Sequence, residues 1–329
     1  MAQLLIDARV ERWPVAGSFV IARGAKTYVD VVVAGVALGG AFGEGEGTPI
    51  YYHGETAEGA VAAIMRAADR LAPLDPTEAR GAVQVLLPPG AARNALDCAL
   101  WDLEAKLAGR PLWQLAGLAE PRLLVTAFTI SLGEPATMEE HARIAAARGF
   151  GLLKLKLTGE GDTARVAAVR RGAPSARLIV DANESWAGRD WAGEAAALAA
   201  FGVEMIEQPL PADTDDALAG AAHPLPFVAD ESCHVAADVA RLADRYDGFN
   251  LKLDKAGGLT EGLALAAATR AAGRELMVGC MLSTSRGIAP AFLVAQGARW
   301  VDLDGPALLA EDREGGFRFD AGRVIPPAD

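Results

Sequence analysis

The stretch from Leu178 to Glu207 reads LIVDANESWAGRDWAGEAAALAAFGVEMIE, and it holds the unit from which most of the chain is built. Its two ends, Leu178–Asp181 and Val203–Glu207, are short apolar runs typical of buried strands. Between them, Trp191–Ala200 is rich in alanine and long enough for an amphipathic helix. A strand, a helix and a second strand in this order predict two parallel strands joined by a helical crossover.

The same unit recurs on both sides of this stretch, at intervals of roughly 25 residues, which is room for one strand, one helix and two loops. Eight such strands in a row predict a closed barrel. An open doubly wound sheet is the competing layout, but no GxGxxG follows the first of these strands. We therefore predict an α/β fold of the (β/α)7β type, a modified TIM barrel. The predicted barrel strands are Leu123–Ile130, Leu152–Leu157, Leu178–Asp181, Val203–Glu207, Phe227–Asp230, Phe249–Leu253, Leu276–Cys280 and Trp300–Asp304.

The beginning of the chain has a different pattern, with strands first and helices afterwards, which is typical of an α+β domain. The run Gly43-Glu44-Gly45-Glu46-Gly47 lacks a P-loop lysine, and its carboxylates would repel phosphate. We expect it to form a turn or a flexible loop near the substrate entrance. The predicted strands are 2–12, 18–23 and 28–38, and the predicted helices are 57–71 and 92–108.

A domain boundary is expected near Pro121. Residues 1–121 are predicted to form an α+β capping domain, and residues 122–305 the (β/α)7β catalytic barrel. No eighth helix follows Asp304, and the tail contains several glycines and two final prolines. We expect this tail, residues 306–329, to return to the capping domain and complete it.

The charge and cysteine content exclude several classes of partner. Lys and Arg number 31 against 43 Asp and Glu, which gives a formal net charge of −12. Nucleic acids and anionic membranes are therefore poor partners. Cys98, Cys233 and Cys280 lie far apart without a CxxC motif, which suits a reducing cytoplasm. Asp7 stands where a signal peptide would need apolar residues, so we predict a cytoplasmic protein.

Three consecutive predicted strands each end in a carboxylate, namely Asp181, Glu207 and Asp230. In a barrel these strand ends meet at one rim, where active sites are built. Three oxygen ligands without His or Cys favour a hard cation such as Mg²⁺. A single Asp after a strand is more often a helix N-cap, but three on neighbouring strands favour a metal site.

Lysines stand on both sides of these carboxylates along the barrel. Lys154 and Lys156 are two residues apart, so they point to the same side of their strand, and we expect burial and mutual repulsion to lower their pKa values. Lys252 lies four strands further on, hence on the opposite wall. A substrate carbon between them would have a base on each face, as racemisation or epimerisation requires. Lys255 should point away from Lys252 and be structural.

Asp302 and Asp304 share one face of the last strand. They could hold a substrate ammonium group through charge-assisted hydrogen bonds. Pairing with the barrel lysines is an equally good interpretation of their spacing.

These residues resemble those of the enolase superfamily, muconate-lactonizing subgroup. The likeness extends over essentially the whole chain and is strongest to the dipeptide epimerases, which act on L-Ala-D/L-Glu from bacterial murein turnover. The strings that carry it are AARNALDCALWDL (91–103), VDANESW (180–186), EQPLP (207–211), NLKLDKAGGLT (250–260) and DLDGP (302–306).

The resemblance implies a role for each site residue. It implies Mg²⁺ at Asp181, Glu207 and Asp230, and an acid/base pair of Lys156 and Lys252 that moves one proton through an enolate. Lys154 would then bind or polarise the substrate carboxylate, and Asp302 and Asp304 would bind the free amine of a dipeptide.

The resemblance also points to residues around the substrate. Arg23 is expected to bind the γ-carboxylate of Glu, with Lys26 as a substitute, and Thr129 and Cys280 are expected to contact the substrate backbone. Two alternatives keep the fold: another reaction of the subgroup (o-succinylbenzoate synthase, muconate cycloisomerase or N-acylamino acid racemase) or a non-catalytic binding barrel. Barrels of this kind often assemble, so a homo-oligomer is possible.

Overall fold

The computed structural model describes residues 3–21 and 24–327. A three-stranded antiparallel sheet and four helices come first in the chain. The first two predicted strands are one strand, with an irregular register between Pro14 and Phe19. Two helices, at 76–86 and 112–115, were not predicted, although Asp75 and Glu78 form a capping box around a proline at the start of the first. These elements are β1 (Leu5–Ile21), β2 (Gly24–Leu38), β3 (Ala41–Gly47), α1 (Ala57–Leu71), α2 (Pro76–Leu86), α3 (Ala91–Ala108) and α4 (Leu112–Leu115).

The Gly-Glu-Gly-Glu-Gly run is part of β3, so the expected loop is wrong. Its glycines face α3 so closely that no side chain fits between strand and helix. A Cβ at Gly45 would lie 2.1 Å from the carbonyl oxygen of Ala95 and 2.6 Å from the amide nitrogen of Ala99. The alternation of glycine with glutamate has the period of two that marks a strand with two different faces.

We expect Gly45→Ala to lower the free energy of unfolding by about 1–3 kcal/mol, as overpacking of a core does. The clashing atoms are backbone atoms of α3, which cannot rotate away. Gly81→Ala in α2 is the control, because a Cβ there meets no atom within 4 Å and favours the helix. Chemical denaturation measures both variants, and equal stability of the two would contradict the packing argument.

Eight parallel strands form the larger sheet, and neighbours in sequence are neighbours in the sheet. They are β5 (Phe128–Ile130), β6 (Leu152–Lys156), β7 (Arg177–Asp181), β8 (Val203–Glu207), β9 (Phe227–Ala229), β10 (Gly248–Leu251), β11 (Glu275–Gly279) and β12 (Trp300–Asp302). The two ends of the sheet meet where the amide of Ala127 donates to the carbonyl oxygen of Val301 at 2.7 Å. The predicted α/β barrel fold is therefore confirmed.

Seven crossovers connect these strands on the outside of the barrel. The crossover from β8 to β9 contains only a 3₁₀ turn, Asp215–Leu218, and β12 is followed by another, Gly305–Leu308. The barrel helices are α5 (Pro135–Ala147), α6 (Asp162–Gly172), α7 (Trp191–Ala199), α8 (Asp238–Leu242), α9 (Leu253–Ala256), α10 (Leu259–Ala271) and α11 (Ser285–Val294).

Side chains of the barrel strands alternate between the interior and the surrounding helices. On β6, Leu153 and Leu155 pack outward in the main core, whereas Leu152 packs inward. Lys154 and Lys156 follow Leu152 in steps of two and therefore also face the interior. The apolar interior layer is Ala127, Leu152, Ile179, Met205, Val228, Met277 and Trp300, and it closes the barrel below the charged residues.

The tail touches both parts of the chain. Leu309 forms a bridge with Val15, and Arg313 lies 2.6 Å from Glu11 and 2.8 Å from Glu46. Further along, β13 (Arg318–Asp320) pairs with β14 (Arg323–Ile325), and β14 pairs with β4 (Leu124–Val125) just before the barrel. The boundary at residue 121 and the assignment of residues 306–329 to the capping domain stay predictions.

Within residues 3–21 and 24–327, every helix is too short or too polar to traverse a lipid bilayer.

Candidate active site

A cavity of about 730 Å³ opens at the carboxyl ends of the barrel strands. Its floor is charged and comes from the barrel, while one wall comes from the first sheet and the segment after it. A volume of this size suits a small-molecule substrate. The lining residues from the first 121 positions are Phe19, Lys26, Thr48, Tyr51 and Tyr52.

Asp181, Glu207 and Asp230 converge at the centre of the floor. Each offers a carboxylate oxygen, these oxygens lie within 4.8 Å of one another, and all three side chains are buried. None of them caps a helix: the N-caps of α7 and α8 are Asp190 and Ala237. Three buried carboxylates without a His or Cys ligand form a donor set that fits a hard divalent cation.

Each carboxylate of this triad contacts at least one lysine ammonium group. The Nζ of Lys156 lies 2.6 Å from Asp181, the Nζ of Lys154 lies 2.6 Å from Glu207, and the Nζ of Lys252 lies 2.6 Å from Asp230. Lys156 lies on β6 and Lys252 directly follows β10. These two strands are four positions apart in the barrel, and the strands that carry the triad lie between them. The triad therefore separates Lys156 from Lys252.

The expected lowering of the pKa is wrong for Lys154, and Lys252 shows the same raised pKa. Burial does lower these values, but the neighbouring carboxylates outweigh it and hold both pKa values well above their usual range. Asp302, Glu207 and Asp181 act on Lys154, and Asp230 and Glu207 act on Lys252. These carboxylates therefore favour the ammonium form of both lysines.

The carboxylates of the triad differ from one another in acidity. Burial and the charge of Asp181 raise the pKa of Glu207 to about 7, although Lys154 opposes them. Lys156 and Lys154 lower the pKa of Asp181 against the effect of burial. Glu207 is thus the weakest acid of the three near neutral pH, because it lies between two other negative charges.

Asp230 is held in place by more than Lys252. Lys255 lies behind it, with its Nζ 2.7 Å from Asp230 Oδ1 and hydrogen-bonded to the carbonyl oxygens of Cys233 and Asn250. Against burial, Lys252 and Lys255 hold the pKa of Asp230 well below its usual range. Lys255 therefore supports Asp230, but it contacts the same carboxylate as Lys252 rather than pointing away from it, as its spacing had predicted.

Asp302 and Asp304 have different partners. Lys154 donates to Asp302 Oδ2 at 2.8 Å, so one of the two aspartates pairs with a barrel lysine. Asp304 Oδ2 accepts the backbone amide of Thr129 at 2.7 Å, and in the described part of the chain no Lys or Arg lies within ion-pair distance of it. Burial and Asp302 raise the pKa of Asp304 to about 7. A positively charged group bound beside Asp304 would be stabilised by the excess negative charge of the two aspartates.

The remaining predicted substrate contacts are placed as follows. Thr129 and Cys280 both line the cavity. Burial, Asp304 and Asp302 raise the pKa of the Cys280 thiol well above its usual range, so a nucleophilic thiolate is disfavoured. Arg23 lies outside the described residues. Lys26, its possible substitute, lines the cavity with its Nζ 4.4 Å from the centre of the Tyr51 ring.

Two residues that support the triad were missed by the sequence analysis. Asn250 donates to Glu207 Oε1 at 2.7 Å, and the side-chain oxygen of Gln208 accepts the amide of Asp230 at 2.8 Å. Asn250 precedes Lys252 by two positions, so the strand period could have placed it on the interior face. Gln208 has a φ of 36°, a backbone conformation that the sequence does not signal.

Comparison with known proteins agrees with this fold and site. Residues 5–117 match the mandelate racemase/muconate lactonizing enzyme N-terminal domain, and residues 137–329 match the enolase C-terminal domain-like family. The chain is 45% identical to the L-Ala-D/L-Glu epimerase of Escherichia coli K12 over 314 residues, which cover 95% of this chain and 97% of that protein.

Two solved structures are similar over nearly their whole length. One is an enolase family member from Agrobacterium tumefaciens with homology to dipeptide epimerases, with bound sodium and L-Ala-L-Glu. It is 47% identical with a TM-score of 0.93, and the match covers 99% of this chain and 98% of that one. The other is a dipeptide epimerase from Enterococcus faecalis complexed with Mg and L-Leu-L-Tyr. It is 30% identical with a TM-score of 0.92, and the match covers 100% of this chain and 98% of that one. The protein is an isomerase, and it belongs to the mandelate racemase/muconate lactonizing enzyme family of the enolase superfamily.

Proposed function

We propose that this protein epimerises dipeptides of the L-Ala-D/L-Glu type by a two-base transfer of one proton. The observation that carries the proposal is the placement of Lys156 and Lys252 on opposite sides of the carboxylate triad. The similarity to an L-Ala-D/L-Glu epimerase supports the choice of substrate. Both lysines are buried at the cavity floor and line the cavity.

The chemistry of this arrangement is a 1,1-proton transfer. One lysine, as the free amine, accepts the α-proton of the C-terminal residue, and the electron pair of the C–H bond moves into the carboxylate as an enolate. The other lysine, as the ammonium, donates a proton to the opposite face of the same carbon. The configuration is inverted, and no other group is gained or lost.

The residues of the triad would hold a divalent cation, which we propose to be Mg²⁺. When bound, such a cation would supply positive charge that stabilises the enolate and lowers the pKa values of the nearby ammonium groups. Lys154 has its Nζ 2.6 Å from Glu207 and 2.8 Å from Asp302, so it lies where it could bind the substrate carboxylate.

Asp302 and Asp304 would bind the free ammonium group of the dipeptide. Asp304 supports this role, because the amide of Thr129 orients its Oδ2. A substrate ammonium group beside Asp304 would lower its raised pKa and so favour the ionised carboxylate. Lys26 and Arg23, both in the first 121 residues, are the candidates for the γ-carboxylate of Glu.

The direct test is incubation of L-Ala-L-Glu and L-Ala-D-Glu with the protein and Mg²⁺ in D₂O. We expect the Glu α-proton signal of either epimer to disappear and the other epimer to form, as measured by NMR and chiral chromatography. A folded protein that exchanges neither α-proton would exclude the proposal.

Asp304→Asn distinguishes a dipeptide epimerase from a racemase of acylated amino acids. We expect kcat/KM for L-Ala-L-Glu to fall about 10- to 100-fold, which corresponds to one charge-assisted hydrogen bond of 1.5–3 kcal/mol. N-acetyl-glutamate has no free amine, so its kcat/KM should change less than about threefold. Equal losses for both substrates would instead favour a subgroup reaction that needs no ammonium contact.

The proposed setting is the recycling of murein peptides in the cytoplasm. An L-Ala-D-Glu dipeptide produced by cleavage of murein peptides would become L-Ala-L-Glu, which ordinary peptidases hydrolyse. A dipeptide library screened by mass after solvent exchange would define the range of accepted side chains. The oligomeric state stays a prediction, and light scattering would measure it.

A further inference from the structure

The segment that follows Lys252 is contacted by α3, a helix that comes before the barrel in the chain. Lys252 directly follows β10 and is the N-cap of α9, a helix of one turn. Because so short a helix is not stable by itself, its contacts must fix its position. Lys255 of α9 contacts the barrel residues Asp230, Cys233 and Asn250. Contacts at both ends of α9 come from α3, and the α3 residues Arg93, Asn94, Asp97 and Trp101 are here called the α3 face.

Arg93 binds the end of α9. Its guanidinium group donates from Nη2 to the carbonyl oxygen of Ala256 at 2.5 Å and from Nε to that of Gly257 at 3.2 Å. Terminal carbonyls of a helix have no partner within the helix, so a buried arginine here satisfies them. Gly257 has a φ of 83°, and a Cβ on it would lie 2.2 Å from Arg93 Nε.

Asn94 binds the beginning of α9. The buried carboxylate of Asp254, two residues after Lys252, accepts from Asn94 Nδ2 at 2.8 Å and from the amide of Thr48 at 2.7 Å. Thr48 also donates to the carbonyl oxygen of Leu282, a residue that lines the active-site cavity. Both ends of α9 are thus fixed by residues outside the barrel.

Asp97 and Trp101 hold the turn into α10. The carboxylate of Asp97 accepts from the amide of Thr260 at 2.9 Å and from its hydroxyl at 2.6 Å, and Trp101 Nε1 donates to the same hydroxyl oxygen. Gly258 has a φ of 116°, and a Cβ there would lie 2.5 Å from Asp97 Oδ2. Gly257 and Gly258 are required at these positions because side chains of the α3 face approach their backbone so closely.

Lys156 is positioned in a different way. It lies within β6, and in the pairing of β6 with β7 it stands opposite Asp181. Its backbone is therefore fixed by a sheet, whereas the hydrogen bonds of the α3 face described above go to α9 and to the turn into α10. A change in the α3 face should move Lys252 and leave Lys156 in place.

We propose that the α3 face, with Arg93 as its principal member, positions Lys252 for proton transfer. The inference rests on the proposed two-base function. The chain segment 252–257 has no strand partner beyond Leu251, so the direction of the Lys252 side chain depends on where α9 lies. A displacement of about 1 Å in a catalytic group can cost a factor of about 100 in rate.

Arg93→Met tests this role through the exchange of each epimer separately. We expect deuterium exchange of the epimer that Lys252 deprotonates to slow by about tenfold or more, with KM nearly unchanged. Exchange of the opposite epimer, which Lys156 deprotonates, should change less than about twofold. Lys252→Met identifies which epimer belongs to Lys252, and Arg93→Lys should restore part of the lost rate.

Two further variants separate positioning from general stability. Thr260→Ala removes the hydroxyl that Asp97 and Trp101 bind, together with one methyl group, and leaves Arg93 in place, so it should give a smaller loss for the same epimer in a folded protein. Arg170→Met is the matched control, because Arg170 also donates to backbone carbonyls, among them those of Phe201 and Ala176, away from Lys252. It should lower the melting temperature and leave the ratio of the two exchange rates unchanged.

The outcomes are distinct. Equal slowing of both epimers in Arg93→Met, or unchanged exchange in a folded Arg93→Met and Thr260→Ala, overturns the positioning role while the proposed function stands. Wild-type protein that exchanges neither epimer overturns the proposed function and the positioning role together.

Discussion

Lys156→Met and Lys252→Met are each expected to abolish epimerisation while preserving solvent exchange of one epimer. Each variant retains a base on one face of the α-carbon only. That base removes the proton from its own epimer and returns a solvent deuteron to the same face, so the configuration does not change. We expect epimerisation to fall by about 10²–10⁴-fold, the range typical of a lost general acid or base.

The two variants should exchange opposite epimers, which is the decisive result. Proton NMR in D₂O follows the loss of the α-proton signal, and chiral chromatography follows conversion. Lys106→Met is the control, because Lys106 is an exposed lysine of α3 that pairs with Asp102 and does not line the cavity. If both variants lost exchange of both epimers equally, a single base or a different role for one lysine would be indicated.

Much of this site follows from the two-residue period of a strand. Lys154 and Lys156 lie on one face because their spacing is even, and the same rule aligns Asp302 with Asp304. The barrel then brings together strand ends that are distant in sequence, so carboxylates on three consecutive strands converge. These arguments need only strand order and parity, which the hydrophobic pattern supplies.

Other features depend on distances between elements, which a pattern does not contain. The pKa shift of Lys154 was predicted with the wrong sign, because burial and repulsion from Lys156 were counted and the nearness of several carboxylates was not. The hydrogen bond from Arg93 to Gly257 joins residues 164 positions apart. The only sign of it in the sequence is a charged residue within a mostly apolar helix. The Gly43–Gly47 strand was missed for a simpler reason, since its glycines were interpreted as flexibility rather than as close packing.

Glu207→Gln is expected to weaken Mg²⁺ binding by about 100-fold or more. Changes to residues that merely support metal ligands cost 10- to 100-fold in affinity, and loss of a ligand charge should reach at least the upper end. Glu207 lies between the other two carboxylates in strand order, on β8 between β7 and β9. Isothermal titration calorimetry measures the affinity, and activity should fall with it.

Glu204→Gln is the matched control for this variant. Glu204 lies on the same strand and pairs with Arg177 at 2.7 Å at the opposite end of the barrel from the triad. Removing its charge should leave Mg²⁺ affinity within about twofold. In the wild type, Mg²⁺ at 100 times its dissociation constant should stabilise the fold by about 2.7 kcal/mol, which a thermal melt detects. A metal-independent melt and activity retained in EDTA would contradict a cation at the triad.

The pH dependence of Mg²⁺ binding provides a second measurement on Glu207. Because burial and Asp181 raise its pKa from 4.5 to about 7, the metal-free folded protein takes up a proton there that the unfolded chain does not hold at pH 6. Unfolding therefore releases this proton, and the contribution of Glu207 to stability falls as pH rises from about 4.5 to 7. Mg²⁺ must displace the same proton, so its affinity should weaken by up to about tenfold for each pH unit below 7. The Glu207→Gln variant has no carboxyl proton for Mg²⁺ to displace at this position. Its Mg²⁺ affinity is already low, and it should not weaken further below pH 7 for this reason.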